Sequence, residues 1–274
     1  MSKSGLRGAP LGHDVAYPDH YDPDLLFPIA RQTNRATLAP LPTWTGADIW
    51  TAYEVSWLNS RGKPIVAMAQ LLFPESSPCL IESKSLKLYL NSLTETRFDE
   101  EEAVRALIAR DLSLAAGAPV AIALSRLDRQ APITLSPMSG INIDGLDIDV
   151  KHYRPAPNLL RCEPGGTMVD ETLTSDLLKS NCPVTGQPDW GSVQIRYRGP
   201  RIDRRSLLEY IVSLRTHREF HEHCVEKMYC DLWRACQPAW LLVYARYTRR
   251  GGLDINPWRA SSATEVSQGR TPRQ

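Results

Sequence analysis

Between Arg201 and Cys236 the chain contains neither glycine nor proline, and Pro200 and Pro238 lie just outside that run. So long an uninterrupted stretch with 3.6-residue periodicity reads as helix. Leu207, Leu208, Ile211 and Leu214 form one apolar stripe; Cys224, Val225, Met228 and Leu232 form another, with a break expected near Thr216–Glu219. Two stripes need a surface to cover. Flanking strands supply it: Ser192 to Arg198 alternates with Val193, Ile195 and Tyr197 inward, and Trp240 to Tyr247 is a further strand.

The first half repeats this order. Ala52 to Leu58 reads as a strand with Tyr53, Val55 and Trp57 on one face. Asn59 to Pro64 is turn chemistry, and Ile65 to Phe73 is the returning strand. A helix opens at Phe98-Asp99-Glu100-Glu101-Glu102, where the macrodipole favours acids. Val104, Leu107, Ile108 and Leu112 are its apolar face, Gly117 closes it, and Pro119 to Leu127 is again a strand. The fold class is therefore α+β, preferably two fused copies of one small module; a single α+β domain reusing common elements is the alternative. The expected divisions are an N-terminal lead-in over 1–40, a first module over 41–150, a second over 151–261 and a polar tail over 262–274, expected to be disordered. Asp128 to Pro164 is read as connector.

A formal net charge of +1 gives bulk electrostatics no means of recruiting nucleic acid or an anionic membrane. No apolar run approaches the length that spans a bilayer, and the N-terminus has no apolar signal core. Six cysteines without CxxC spacing read as reduced thiols of a cytoplasmic protein.

Chemistry concentrates in four segments. In Ser180-Asn181-Cys182-Pro183-Val184-Thr185-Gly186-Gln187-Pro188-Asp189-Trp190 a thiol is followed by a carboxyl group that the turn folds back towards it. That pairs a nucleophile with a proton source, Thr185 and Gly186 offering donors to a thiolate. By itself a cysteine is more often a small core residue. Around Glu82, Ser83 or Ser85 caps a helix start, and Lys84 and Lys87 bring cations to exposed N–H groups, an anion site or simply a solvated face. Phe220-His221-Glu222-His223 offers a carboxylate suited to the paired donors of a guanine-like edge. His221 and His223 are two apart on a helix and do not face the same way, which disfavours a metal. Arg246, Arg249, Arg250 and Gly251-Gly252 form the densest basic patch, suited to phosphate.

Together these segments closely resemble the QueF-type NADPH-dependent 7-cyano-7-deazaguanine reductases. The resemblance rests on Glu82-Ser83-Lys84-Ser85-Leu86-Lys87-Leu88-Tyr89-Leu90-Asn91-Ser92, on Ser180 to Asp189, on Phe220-His221-Glu222 and on Tyr244 to Trp258, with Tyr21 to Ile29 similar too. The order of the motifs resembles the longer form of that family. This implies two tunnelling-fold (T-fold) modules, antiparallel sheets backed by helices, in a homodimer. It further implies that Cys182 adds to a nitrile carbon as a thioimide and that Asp189 is the proton donor. Ile81, Glu82, Ser83, His221 and Glu222 would bind the deazapurine, and Ser83, Lys84, Arg250 and Gly251 would bind NADPH. Neither metal nor flavin is implied, and two NADPH per nitrile would yield the aminomethyl product on the route to queuosine in tRNA. Cys224, two residues past Glu222, is a candidate to approach Cys182 and pair with it under oxidation. Two rivals remain: a cyclohydrolase-like purine or pterin enzyme of the same fold, and a non-enzymatic nucleotide- or tRNA-binding module using the arginine patch.

Overall fold

The computed structural model describes residues 18, 20–127 and 135–274, so the start of the lead-in and part of the connector fall outside the described residues. In chain order the elements are β1 (Pro28–Ala30), α1 (Gln32–Arg35), β2 (Thr45–Leu58), β3 (Pro64–Pro74), β4 (Cys79–Ile81), α2 (Ser83–Ser92), α3 (Glu101–Ala116), β5 (Ala121–Arg126), β6 (Ile141–Asn142), β7 (Met168–Asn181), β8 (Pro188–Pro200), α4 (Arg204–Ser213), α5 (His221–Cys236), β9 (Trp240–Tyr247) and β10 (Leu253–Ala260). They form two compact units: Met1–Thr33, Ala47–Pro132 and Arg249–Ile255 make one, and Asn34–Gly46, Ile133–Thr248 and Asn256–Gln274 the other. Among the described residues no helix is long and apolar enough to cross a membrane.

In the first unit β2 pairs antiparallel with β3, and β3 with β5. Helices α2 and α3 back these strands, burying Leu86, Tyr89, Val104, Ile108 and Leu112 against Trp50, Val55, Ala69 and Leu71. In the second unit β7, β8 and β9 form an antiparallel meander, with the short β6 parallel to β7. Here α4 and α5 bury Leu207, Ile211, Val225 and Met228 against Leu173, Val193, Ile195 and Val243. Each unit is thus an antiparallel sheet with helices on one face, the α+β arrangement expected.

The duplication extends to single atoms. Glu82 caps α2 by accepting from the backbone N–H of Lys84 and Ser85; Asp203 caps α4 by accepting from Arg205 and Ser206. Ser85 Oγ donates to the Glu82 carbonyl at 2.7 Å and accepts from Phe27 N–H at 3.0 Å; Ser206 Oγ donates to Asp203 at 2.8 Å and accepts from Arg161 at 3.3 Å. Tyr89 donates to Asp111 and Tyr210 to Asp231, both at 2.7 Å. Ser92 donates to the Tyr89 carbonyl and Ser213 to that of Tyr210, both at 2.6 Å. Strands β2 and β7 each carry one extra residue at the same place, between Ala52 and Val55 and between Ser175 and Leu178.

Several expectations need correction. The bulge in β2 resets its alternation, so Trp50, Ala52, Val55 and Trp57 face the core while Tyr53 does not. Strand β7 went unread because its apolar residues are few and change parity at its bulge, and β10 was quoted only as a motif. The tail is ordered. Gln274 Nε2 donates to the Tyr247 carbonyl at 3.1 Å and to Asn256 Oδ1 at 2.7 Å, while its Oε1 accepts from Arg246 Nε at 2.7 Å. Arg246 is therefore buried beneath the tail and does not belong to an exposed basic patch.

Glu226, on the inner side of α5, is fully buried between Arg259 at 2.8 Å and Arg35 at 2.7 Å. Burial works to raise its carboxyl, but the guanidinium groups of Arg259 and Arg35 hold it down to about 2. A depressed carboxyl stabilises the fold above its unfolded value of 4.5, and that contribution is lost as pH falls towards 2. Glu226→Gln is expected to cost about 3–5 kcal/mol at neutral pH, because it strands buried charge. It should also flatten part of the acid limb; urea unfolding at a series of pH values checks both.

Candidate active site

The second unit carries the thiol. Ser180 lies directly opposite Asp189 across β7 and β8. Side chains of paired residues share a face, and residues two apart on a strand share it too. Leu178, Ser180 and Cys182 therefore emerge with Asp189 on the helix-backed side, and all four are buried. The hairpin tip is closed by Cys182 N–H donating to Gln187 O at 2.9 Å and Gly186 N–H donating to Cys182 O at 3.0 Å. Gly186 takes φ +71°, which glycine adopts without strain. Of the donors expected to serve a thiolate, Gly186 N–H is used within the turn on a carbonyl, while Thr185 Oγ1 accepts from Gln187 N–H at 3.3 Å and keeps its own O–H as a donor.

The start of α5 is tied to this hairpin. Asn181 N–H donates to His217 O at 2.8 Å, Asn181 Nδ2 to Arg215 O at 3.0 Å, and Lys179 Nζ to Arg215 O at 2.8 Å. These bonds bring the first turn of α5, with His221 and Glu222, to the same end of the sheet as Cys182. His221 Nε2 lies 3.8 Å from Asp189 Oδ1, beyond a direct hydrogen bond but within ion-pair distance. Glu222 is 1% exposed. It stands in the first turn of α5, next to His221. His223 is buried against Asn34, with Nδ1 3.8 Å from Glu219, and packs edge-on to Phe220. Further along α5, burial pushes Cys224 up to about 11 and Cys230 and Cys236 up to about 12, so these thiols stay protonated at neutral pH. All six cysteines are free.

The first unit carries the other predicted residues. Ile81 ends β4 in the core; Glu82 follows, fully buried, and burial raises its carboxyl above the ordinary value. The sequence suggested Ser83 or Ser85 as helix cap and free N–H groups for an anion. Instead Glu82 itself receives Lys84 N–H at 2.7 Å and Ser85 N–H at 2.8 Å. The carboxylate consumes the donors that an incoming anion would need, so attraction for one falls to the lysines. Nearby, Ala52, Glu54, Lys87, Asn91 and the Gly251-Gly252 turn line a cavity of about 230 Å³. Gly251 has φ +57°, and a Cβ there would stand 3.0 Å from Lys87 Nζ, so the bare backbone keeps this approach open. Lys87 Nζ is 3.8 Å from Glu54 Oε2. Arg249 lies over the Tyr53 ring at 4.5 Å. A turn of bare backbone beside a lysine, with Arg250 half-buried next to it, fits a phosphate-bearing nucleotide. The sequence named Ser83, Lys84, Arg250 and Gly251 as cofactor residues and put Gly252 in the phosphate-suited patch, but it did not point to Glu54, which lines the cavity from the β2 bulge.

Residues 17–124 match the family model described as nitrile reductase, 7-cyano-7-deazaguanine-reductase N-term, and residues 188–266 match that described as QueF-like protein. The NADPH-dependent 7-cyano-7-deazaguanine reductase of Bordetella pertussis is 58% identical over 273 residues, covering 98% of this chain and 99% of that protein. The chain belongs to the 7-cyano-7-deazaguanine reductases. Proteins of the same name from Chromobacterium violaceum and Chromohalobacter salexigens are 55% identical over 271 residues, with 97% and 96% coverage, and 56% identical over 260 residues, with 93% and 92% coverage. A solved archaeosine synthase QueF-Like structure in the apo form covers 38% of this chain and 99% of its own at 17% identity and TM-score 0.30, too slight a likeness to bear on the fold. Membership makes the chain an NADPH-dependent oxidoreductase, here built of two α+β units.

Loss of the carboxylate cap is the simplest change to read in a reductase of this build. Glu82→Ala is expected to lower stability by about 1–2 kcal/mol, and Asp203→Ala by a comparable amount, since each leaves two helical N–H groups without their acceptor. Denaturant midpoints of the two variants check this.

Proposed function

We propose that the chain reduces the nitrile of 7-cyano-7-deazaguanine to the aminomethyl group through a covalent intermediate on Cys182, consuming two NADPH, in the formation of queuosine. The observation that carries the mechanism is the shared buried face of Cys182 and Asp189 on one hairpin. The Cys182 sulfur adds to the nitrile carbon while Asp189 delivers a proton to the nitrogen, so the C≡N bond becomes the C=N of a thioimide without separating charge. His221, 3.8 Å from Asp189, is placed to return a proton to that carboxylate. Glu222 accepts the ring N–H and amino donors of the deazapurine, and Glu82 keeps lone pairs beyond those given to its helix. Ile81 and Ser83 complete the substrate contacts assigned by the sequence. Lys84, Lys87, Arg250 and the backbone of Gly251, with Ser83, are the groups that would hold the cofactor. Two NADPH, bound in turn, would each supply one hydride, the first to the thioimide carbon, from which the Cys182 sulfur then leaves to give an imine, and the second to take the imine to the amine. Burial of the thiol and carboxyl protects the imine from hydrolysis. Assembly as a homodimer belongs to the same proposal and rests on the family resemblance.

The deciding experiment is intact-mass measurement of the protein mixed with the nitrile in the absence of NADPH. A ligand-sized increase is expected for the wild type and none for Cys182→Ala, which should also show no turnover. An adduct persisting in Cys182→Ala would remove Cys182 as nucleophile. Glu222→Leu is expected to weaken nitrile binding by about 1–3 kcal/mol, since it leaves ring donors unpaired; calorimetric titration into the Cys182→Ala background measures this without turnover.

A further inference from the structure

Beside the thiol and the carboxyl stands an aromatic ring to which this mechanism gives no part. Tyr247, the last residue of β9, is 1% exposed. Its ring meets the His221 imidazole edge to face, with centroids 4.1 Å apart and planes at 87°. The same ring lies on Gly191, its partner across β8 and β9. A Cβ on Gly191 would stand 3.1 Å from Tyr247 Cδ1 and 3.4 Å from Cε1, so only glycine leaves the ring its place. Gly191 is two residues past Asp189 on the same face of β8, so ring, imidazole and carboxyl form one contiguous group.

His221 is the first residue of α5, and Phe220 before it makes no side-chain cap bond. An imidazole has a broad torsional preference about its ring bond, so a packed neighbour decides its orientation. The first unit supplies a comparison. Where Gly191 pairs with Tyr247, Ala67 pairs with Arg126, and the helix equivalent to α5 begins with Glu101 in place of His221. The module without the thiol therefore has no ring, no glycine to admit one and no imidazole.

We propose that Tyr247 is a positioning residue of the reduction, its ring, admitted by Gly191, holding the His221 imidazole at Asp189. This rests on the function proposed above. Burial, then the neighbouring Cys224 thiol, pushes the Tyr247 phenol well above its ordinary value. The part of Tyr247 that meets the imidazole is its ring.

The test compares Tyr247→Phe, Tyr247→Leu and Gly191→Ala in the full chain. Turnover is measured together with the NMR resonance of the His221 Cε1 proton, which the ring current of a neighbour this close displaces. Tyr247→Phe is expected to keep kcat within about threefold and to keep the displaced resonance. Tyr247→Leu is expected to lose roughly tenfold or more in kcat with KM for NADPH nearly unchanged, and to lose the displacement. Gly191→Ala, which crowds the ring without removing it, should lower kcat and move the resonance, and stands in should Tyr247→Leu fail to fold. Folded Tyr247→Leu with wild-type kcat, or Tyr247→Phe as impaired as Tyr247→Leu, would overturn the assignment to the ring. A wild type that reduces no nitrile overturns the proposed function instead. In that case the His221 resonance alone decides the positioning: retained in Phe and lost in Leu supports it, and unchanged in Leu sinks it.

Discussion

One extra residue in β7 decides which side of the sheet receives the thiol. Before the bulge, Leu173 and Ser175 point to the core; after it, Leu178, Ser180 and Cys182 do. An uninterrupted strand would have kept the odd positions inward and turned Cys182 to the opposite face, away from Asp189 and α5. Because side-chain direction alternates strictly, a slip of one residue exchanges every side chain between faces. The first unit bears the same bulge at the same distance along β2, and there it presents Glu54 to the cavity beside Gly251. A device that serves the frame in both copies therefore serves chemistry differently in each.

Around this frame many buried polar groups find partners within their own unit. Carboxylates cap the helices, hydroxyls tie the lead-in segments to the helices they precede, and phenols close onto Asp111 and Asp231. Glu82 shows what such economy implies. A group proposed to bind substrate is also a structural cap, so a variant at that position disturbs the helix whatever it does to binding. Glu222 differs: it stands in the first turn of α5 without serving as its cap.

The sequence disclosed the helices well, because their apolar stripes are regular and Gly117 and Pro238 mark their ends. It disclosed the hairpin of the first unit for the same reason. It did not disclose β7, whose pattern changes parity halfway, nor the order of the tail, whose polar residues are held by Gln274 and Arg246 rather than by apolar burial. The internal duplication was legible in the order of its strands and helices but not as a repeat of residues. Its signal is a sparse spacing, serine then tyrosine four residues on and serine three beyond, in Ser85, Tyr89 and Ser92 and again in Ser206, Tyr210 and Ser213. Of the site, Cys182, Asp189, His221 and Glu222 were legible through their motifs. Tyr247 was not, because a tyrosine ending an apolar strand carries no mark that separates it from ordinary core.

The paired ties also divide the kinds of damage a substitution can do. Ser85, Tyr89 and Asp111 in one unit, and Ser206, Tyr210 and Asp231 in the other, hold the same joints. Lesions there weaken the frame of one module and reach chemistry only through misfolding. On the function proposed above, lesions at the hairpin tip or at the first turn of α5 leave those joints intact and strike the reaction. Two residues equally buried and equally polar can thus belong to different classes of defect, one corrected by cooler growth or a chaperone and the other by neither.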